Sequence, residues 1–152
     1  GEEPVSSPEP PQRGLGETIL VVEDDEDVRF QAASMLGDLG YTILEAENGA
    51  AALKQLQARP DIALLFTDIA MPGNLNGFQL AVEARSFAPN LRMLFASGNP
   101  QFAAGVKWSV PTGSVLLRKP YRDFELARAV RSALLSPPNP ISQDDIAAAD
   151  AD

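Results

Sequence analysis

Five short apolar runs, separated by segments with helical spacing, constrain the fold of this chain more than any other feature. The runs are TILVV (18–22), TILEA (42–46), IALLF (62–66), LRMLFA (91–96) and SVLL (114–117). Most are apolar at successive positions, as expected for parallel strands that are covered on both faces. The TILEA run is more polar and is expected at an edge of the sheet. The pattern predicts an α/β fold.

Between the runs, apolar residues recur every three or four positions, as they do in amphipathic helices. The expected inward positions are Val28, Ala32, Met35 and Leu39 in the first helix, Leu53 and Leu56 in the second, Phe78, Ala81 and Val82 in the third, and Leu126, Val130, Ala133 and Leu134 in the fifth. Asn48 and Asn76 are predicted to cap the second and third helices. The fourth helix, predicted within residues 100–108, should be short because Gly105 and Pro111 disfavour its extension.

Five such units joined by right-handed crossovers predict an open, doubly wound parallel sheet with helices on both faces. A chain of 152 residues, 45% of them apolar, can bury one core of this kind. Residues 1–16 are rich in proline and are predicted to form a disordered linker. Residues 136–152 are predicted to form a disordered acidic tail, which leaves 17–135 as the folded domain.

The composition excludes several classes of function. Twelve Lys and Arg against 21 Asp and Glu give a net charge of −9, which argues against direct nucleic-acid binding. No apolar run is long enough to predict membrane insertion or secretion. The absence of cysteine and histidine excludes disulfides, thiolate metal sites and imidazole chemistry, and it suits a cytoplasmic protein.

Polar residues of complementary kinds follow four of the predicted strands. Glu23 and Asp24 follow the first strand, Asp68 the third, Ser97 the fourth and Lys119 the fifth. Taken singly, such residues are ordinary helix caps and turn residues. Ligands of open parallel sheets, however, bind beyond the carboxyl ends of the strands, where these residues would meet.

Three carboxylates brought close together would repel one another and would need a cation to stay ionised. Hard oxygen ligands with open positions suggest Mg²⁺. A Mg²⁺ site beside a carboxylate, a lysine and a hydroxyl has the parts required for phosphoryl transfer. The natural nucleophile in such a site is Asp68.

Four segments carry a resemblance to a known family: ILVVEDDEDVR, LLFTDIAMPG, LFASG and LLRKPY. In order and spacing they resemble the successive signatures of response-regulator receiver domains of two-component signalling. The match covers residues 17–135. The resemblance implies a flavodoxin-like sheet of strand order 2-1-3-4-5 with five helices.

The resemblance also implies roles for the acidic residues. Asp68 would be the phosphoacceptor, and Asp24, Asp68 and the backbone carbonyl of Ala70 would bind Mg²⁺. Glu23 stands where the family more often has Asp, so the resemblance leaves open whether it binds the metal directly or through a water.

Ser97 and Lys119 would hold the phosphoryl oxygens, and the bond between Lys119 and Pro120 resembles the cis peptide of the family. Three residues before the lysine, where many receivers have Tyr or Phe, this chain has Leu116. The aromatic part of the usual activation switch is therefore missing.

The implied phosphoryl donor is a phosphohistidine on a separate histidine kinase or histidine phosphotransfer protein. A downstream protein is expected at the face of the fourth helix, fifth strand and fifth helix. The long GNLN loop and the LLRKPY segment resemble receivers of hybrid histidine kinases, which favours the C-terminal receiver of a hybrid sensor kinase. Such a receiver would be cytoplasmic and could be tethered to a membrane-bound parent kinase. A free-standing single-domain regulator or a phosphate sink is the alternative.

Two further classes of protein fit the pattern less well. A Mg²⁺-dependent phosphohydrolase that forms an aspartyl phosphate would carry D-x-D after the first strand and an insertion to enclose its substrate. Here EDDED follows the first strand, and Asp68 follows the third. A degenerate receiver that acts only as a binding module would lack one of the acids or the lysine, and all of those positions are filled.

Overall fold

The computed structural model describes residues 14–71, 73, 75–98 and 115–136. The described strands are β1 (Thr18–Val22), β2 (Thr42–Ala46), β3 (Ile62–Asp68), β4 (Arg92–Ser97) and β5 (Val115–Arg118). The described helices are α1 (Glu26–Asp38), α2 (Gly49–Ala58), α3 (Gly77–Arg85) and α4 (Asp123–Leu135). All five strands are parallel in one sheet of order β2-β1-β3-β4-β5, which confirms the predicted fold class.

Each predicted strand is found, with small differences in its bounds. Strand β3 continues two residues further than predicted, because Thr67 and Asp68 pair with Phe95 and Ala96 of β4. Asp68 is therefore the last residue of the strand. Helix α4 is the predicted fifth helix, whereas the predicted fourth helix lies outside the described residues.

The core has two layers, one on each face of the sheet. Leu65 and Phe95 point toward α2 and α3, whereas Leu64 and Leu94 point toward α1 and α4. In β1 every residue from Thr18 to Val22 is buried, because both faces of this strand are covered. Strand β2 is mostly accessible, as expected for the edge position that its polar sequence predicts.

Side chains at the helix starts satisfy the free backbone N–H groups there. Asn48 accepts a hydrogen bond from the first turn of α2, and Asn76 forms a reciprocal capping box with Gln79 of α3. Both predicted caps are confirmed. Asp25 caps α1 in the same way, so it belongs to the helix start rather than to the cluster of acids described below.

None of the helices in the described ranges combines the length and the apolar character that a membrane crossing requires.

The domain limits at residues 17 and 135 stay predictions.

Candidate functional site

The carboxyl edge of the sheet collects the polar residues that the sequence places after its strands. Glu23 directly follows β1, Asp68 ends β3, Ser97 ends β4 and Lys119 directly follows β5. Because the strands are parallel, their carboxyl ends meet at this one edge. Glu23, Asp68 and Ser97 are buried, whereas Asp24 is exposed to solvent.

Lys119 connects the two buried carboxylates. Its Nζ atom donates to Glu23 Oε1 at 2.7 Å and to Asp68 Oδ2 at 3.2 Å. Its backbone N–H donates to the carbonyl of Ser97 at 2.9 Å, which continues the pairing of β5 with β4. The peptide bond between Lys119 and Pro120 is cis. The neighbouring Arg118 is exposed.

Glu23, Asp24 and Asp68 form a compact group of carboxylates. One carboxylate oxygen of each lies within 4.8 Å of the others. Burial, and next the charge of Glu23, raise the pKa of Asp68 to about 6, although the charge of Lys119 opposes the rise. Burial disfavours the charged form of Asp68 and the nearby carboxylate of Glu23 repels it, so Asp68 holds its proton more tightly than an ordinary aspartate.

The pKa of Lys119 is also raised, which for a lysine favours the charged form. Burial lowers the pKa of Lys119, but its hydrogen bond to Glu23 and the charge of Asp68 outweigh burial, so the pKa is raised overall. Lys119 therefore stays protonated across the physiological pH range and remains a fixed cation at the site.

The main chain around Asp68 is held tightly by helix α3. The N–H of Gly77 donates to the carbonyl of Ile69 at 2.8 Å, and a Cβ at Gly77 would collide with the carbonyl of Asp68. On the other side, the N–H of Ile69 donates to the carbonyl of Ala96 in β4 at 2.9 Å. Only glycine allows α3 to approach Asp68 so closely.

Arg29 of α1 reaches back to the turn that carries the first two acids. One of its terminal nitrogens donates to the carbonyl of Glu23 at 2.8 Å, and its Nε donates to Glu45 Oε1 of β2 at 3.2 Å. The sequence pattern singles out neither Arg29 nor Gly77 as a site residue. An arginine within two helical turns of the acid pair is the signal that could have identified Arg29.

Beyond Lys119 the site continues into an open cavity of about 350 Å³ between α1 and the start of α4. Tyr121 lines this cavity, and its ring packs edge-on against Phe66 with a centroid separation of 6.1 Å. Burial raises the pKa of Tyr121 to about 12, so this phenol is neutral at physiological pH. Leu116, at the position where an aromatic switch residue is expected, is 36% exposed on β5.

The donor set suits a small divalent cation. Three carboxylates offer hard oxygen ligands, and Mg²⁺ prefers such ligands while keeping several waters. The exposure of Asp24 and Ala70 leaves one side of the group open to solvent for those waters. Three carboxylates share one lysine here, so the group lacks positive charge, which a divalent cation would supply.

Comparison with known proteins defines the class to which this fold and site belong. Residues 19–131 match the family described as the response regulator receiver domain. The chain belongs to this family, and it is a receiver domain of two-component signalling, as the resemblance implied.

Particular relatives carry the same domain in different settings. The response regulator receiver protein CpdR of Brucella abortus (strain 2308) is 33% identical over 118 residues, which cover 78% of this chain and 97% of CpdR. The sensor kinase CckA of the same organism is 30% identical over 118 residues, which cover 77% of this chain and 12% of the kinase. The similarity thus spans nearly all of one relative and a small part of the other.

Solved structures agree with this assignment. The crystal structure of the receiver domain from the hybrid histidine kinase CckA has a TM-score of 0.66 at 35% identity, and the match covers 77% of this chain and 98% of that one. The response regulator TrrA from Thermotoga maritima, solved in complex with Mg²⁺-BeF, has a TM-score of 0.68 at 28% identity over 78% of this chain and 99% of that one.

Proposed function

We propose that Asp68 accepts a phosphoryl group from a phosphohistidine of a partner protein. The observation that carries this proposal is the position of Asp68, buried at the end of β3 with the Lys119 ammonium 3.2 Å from one carboxylate oxygen. A nucleophilic carboxylate beside a fixed cation is the arrangement that phosphoryl transfer requires. The chain has no histidine, so the donor histidine lies outside these 152 residues, on a histidine kinase or a histidine phosphotransfer protein.

In this proposal Glu23, Asp24, Asp68 and the backbone carbonyl of Ala70 hold Mg²⁺, with Glu23 acting directly or through a water. When bound, the ion neutralises negative charge on the transferred phosphoryl group. Two observations support this assignment: the three carboxylates lie together, and the related TrrA was solved with Mg²⁺-BeF.

Lys119 and Ser97 act on the phosphoryl oxygens. Lys119 balances the charge that the incoming group adds to a site already rich in carboxylates. Ser97 ends the neighbouring strand, so its hydroxyl lies at the same edge of the sheet as Asp68. In the transfer itself, a carboxylate oxygen of Asp68 forms the new bond to phosphorus as the bond from phosphorus to the donor nitrogen breaks.

The direct test is to incubate the 152-residue chain with a small-molecule phosphodonor, with and without Mg²⁺, and to measure its intact mass. The wild type is expected to gain one phosphoryl group only when Mg²⁺ is present. Asp68→Asn is expected to gain none, because the amide is not a nucleophile of this kind.

The matched control for this test is Asp61→Asn. Asp61 precedes the same strand, is exposed and pairs with Arg59, so its loss should leave phosphorylation unchanged. Either a phosphoryl group on Asp68→Asn or none on the wild type would refute Asp68 as the acceptor. The first result would point to another acceptor residue, and the second would favour a receiver that acts only as a binding module.

For the whole protein we propose a receiver attached to a hybrid histidine kinase, with a downstream partner at the face of β5, α4 and the predicted fourth helix. The similarity to the receiver of CckA supports this origin. The similarity to CpdR supports the alternative of a free-standing regulator or phosphate sink, because it spans nearly all of that protein. The reading frame upstream of Gly1 distinguishes them, since only a hybrid kinase encodes a kinase domain there.

A further inference from the structure

Arg29 makes two side-chain hydrogen bonds next to the acidic site, one of them to the main chain of Glu23. It lies in the first turn of α1, and its side chain is only 15% exposed. Its two bonds go to the carbonyl oxygen of Glu23, at 2.8 Å, and to the carboxylate of Glu45, at 3.2 Å. One guanidinium thus ties the turn between β1 and α1 to the edge strand β2.

The carbonyl that Arg29 binds belongs to the peptide unit joining Glu23 to Asp24. A peptide unit is planar, so holding its oxygen also fixes the direction in which the main chain enters Asp24. Within the ranges that the structure describes, no hydrogen bond to the Asp24 carboxylate is seen, so the main chain sets where this side chain starts and no donor seen there holds its carboxylate. The Glu23 carboxylate, by contrast, accepts from Lys119 and from the backbone N–H of Asp25.

We infer that Arg29 is a positioning residue, which holds the turn in the shape that lets Asp24 bind a divalent cation together with Glu23 and Asp68. This inference rests on the proposed function, since it assigns Arg29 to the same site. Arginine suits the role because its planar group presents several N–H donors and can bind two acceptors at once, whereas lysine is a point charge on a flexible stem. Glu45 balances the charge of Arg29, so the contribution of Arg29 is mainly geometric.

The first measurement is the affinity of the full chain and its variants for Mn²⁺, which substitutes for Mg²⁺. The magnetic-resonance signal of free Mn²⁺ reports how much of the ion is bound. Arg29→Met is expected to raise the dissociation constant about tenfold, the scale seen when a group that orients a metal ligand is lost. Arg29→Lys is expected to restore part of the affinity. Arg59→Met removes an exposed arginine and should leave binding unchanged.

The second measurement is the rate of phosphorylation by a small-molecule donor as a function of Mg²⁺ concentration. Arg29→Met is expected to raise the half-saturating Mg²⁺ concentration about tenfold while the rate at saturation stays close to that of the wild type. A residue needed only for folding would lower the thermal midpoint without this shift.

Unchanged Mn²⁺ affinity in Arg29→Met overturns the inference, whatever happens to the thermal midpoint, and so does a wild type that binds no Mn²⁺. If Mn²⁺ binding depends on Arg29 but the wild type is never phosphorylated, the inference stands and the proposed function fails. The two proposals can therefore be refuted separately.

Discussion

The central strand β3 has an aspartate at each end, and each aspartate is close to a cation, but the two surroundings differ. Asp61 immediately precedes the strand and pairs with Arg59 at 2.7 Å, with side chains 55% and 43% exposed. Asp68 ends the strand and pairs with Lys119 at 3.2 Å, with side chains 8% and 23% exposed. Water competes strongly with the first ion pair and weakly with the second.

The two carboxyl groups respond in opposite directions. The hydrogen bond from Arg59 lowers the pKa of Asp61 below its ordinary value, whereas burial and the charge of Glu23 raise the pKa of Asp68 to about 6. Ion pairing alone does not predict the state of a carboxyl group, because desolvation and neighbouring charges can outweigh a partner cation. At the carboxyl edge of the sheet, this imbalance makes Asp68 a candidate for chemistry.

The largest difference between the two ends of β3 should appear when each cation is removed. Lys119→Met is expected to lower the rate of phosphorylation about 10²- to 10³-fold, the range found when a group that stabilises developing negative charge is lost. Arg59→Met should leave the rate unchanged, because Arg59 lies at the opposite end of the strand. Rates are measured by intact mass against time at saturating Mg²⁺.

Equal rates in the wild type and Lys119→Met would show that the buried ion pair is structural only. The comparison between the two ends of β3 would then concern stability and not function.

A second comparison tests steric contact instead of charge, and it uses two glycines. Gly77→Ala is expected to lower the free energy of unfolding by about 3 kcal/mol, because its Cβ would collide with the backbone of Asp68. Gly37 lies within α1, and among the described residues a Cβ there would meet Ile43 alone, at 4.0 Å. Gly37→Ala should therefore stabilise the protein by about 0.5–1 kcal/mol. Urea unfolding of both variants measures the difference.

A tolerated alanine at Gly77 would mean that α3 can move away from Asp68 without cost. The backbone at the carboxyl end of β3 would then not be held rigidly by α3.

A smaller effect is expected from replacing each aspartate with asparagine. The folded protein keeps the Asp68 proton up to a pKa of about 6, whereas the unfolded chain loses it near 3.8. The stability of the wild type therefore falls as the pH rises between these values, and it stays lower above about pH 6. Without Mg²⁺, Asp68→Asn should be more stable than the wild type at neutral pH by about 2 kcal/mol, after allowance for partial solvent screening.

The same substitution at Asp61 should not stabilise the protein, because the charged form of that carboxyl group is the favoured one. Urea unfolding near neutral pH and below about pH 4 provides the check, since the advantage of Asp68→Asn should vanish once the carboxyl group is protonated in both states. If Asp68→Asn is less stable at neutral pH, the Asp68 carboxylate is held more favourably than its raised pKa implies.

Much of the fold follows from local patterns. All five strands lie where apolar runs occur, and Asn48 and Asn76 cap the helices for which they were predicted. The end of β3 was less predictable. Thr67 and Asp68 are polar residues that join the strand because neighbouring strands pair with them, β1 and β4 with Thr67 and β4 with Asp68, and such pairing involves residues far apart in sequence.

The candidate site divides in the same way. The acids and the lysine could be identified because parallel strands end at one edge, so their order in the chain predicts that they meet. Arg29 and Gly77 could not be assigned a role from sequence, because one bonds to a main-chain carbonyl and the other is needed where the backbone of Asp68 comes too close for a Cβ. Spacing could have drawn attention to Arg29, which lies within two helical turns of the acid pair, but it shows neither the carbonyl that Arg29 binds nor the close approach at Gly77.

The sequence by itself determined the class of fold, the edge of the sheet where polar residues gather and the membership of the receiver family, because these depend on periodicity and on motifs in a fixed order. Only the tertiary structure decided how charge is distributed there: Lys119 bridges Glu23 and Asp68, and Asp68 has a raised pKa. Desolvation and charge coupling depend on distances between groups that lie up to 96 residues apart, and only the packed fold sets those distances.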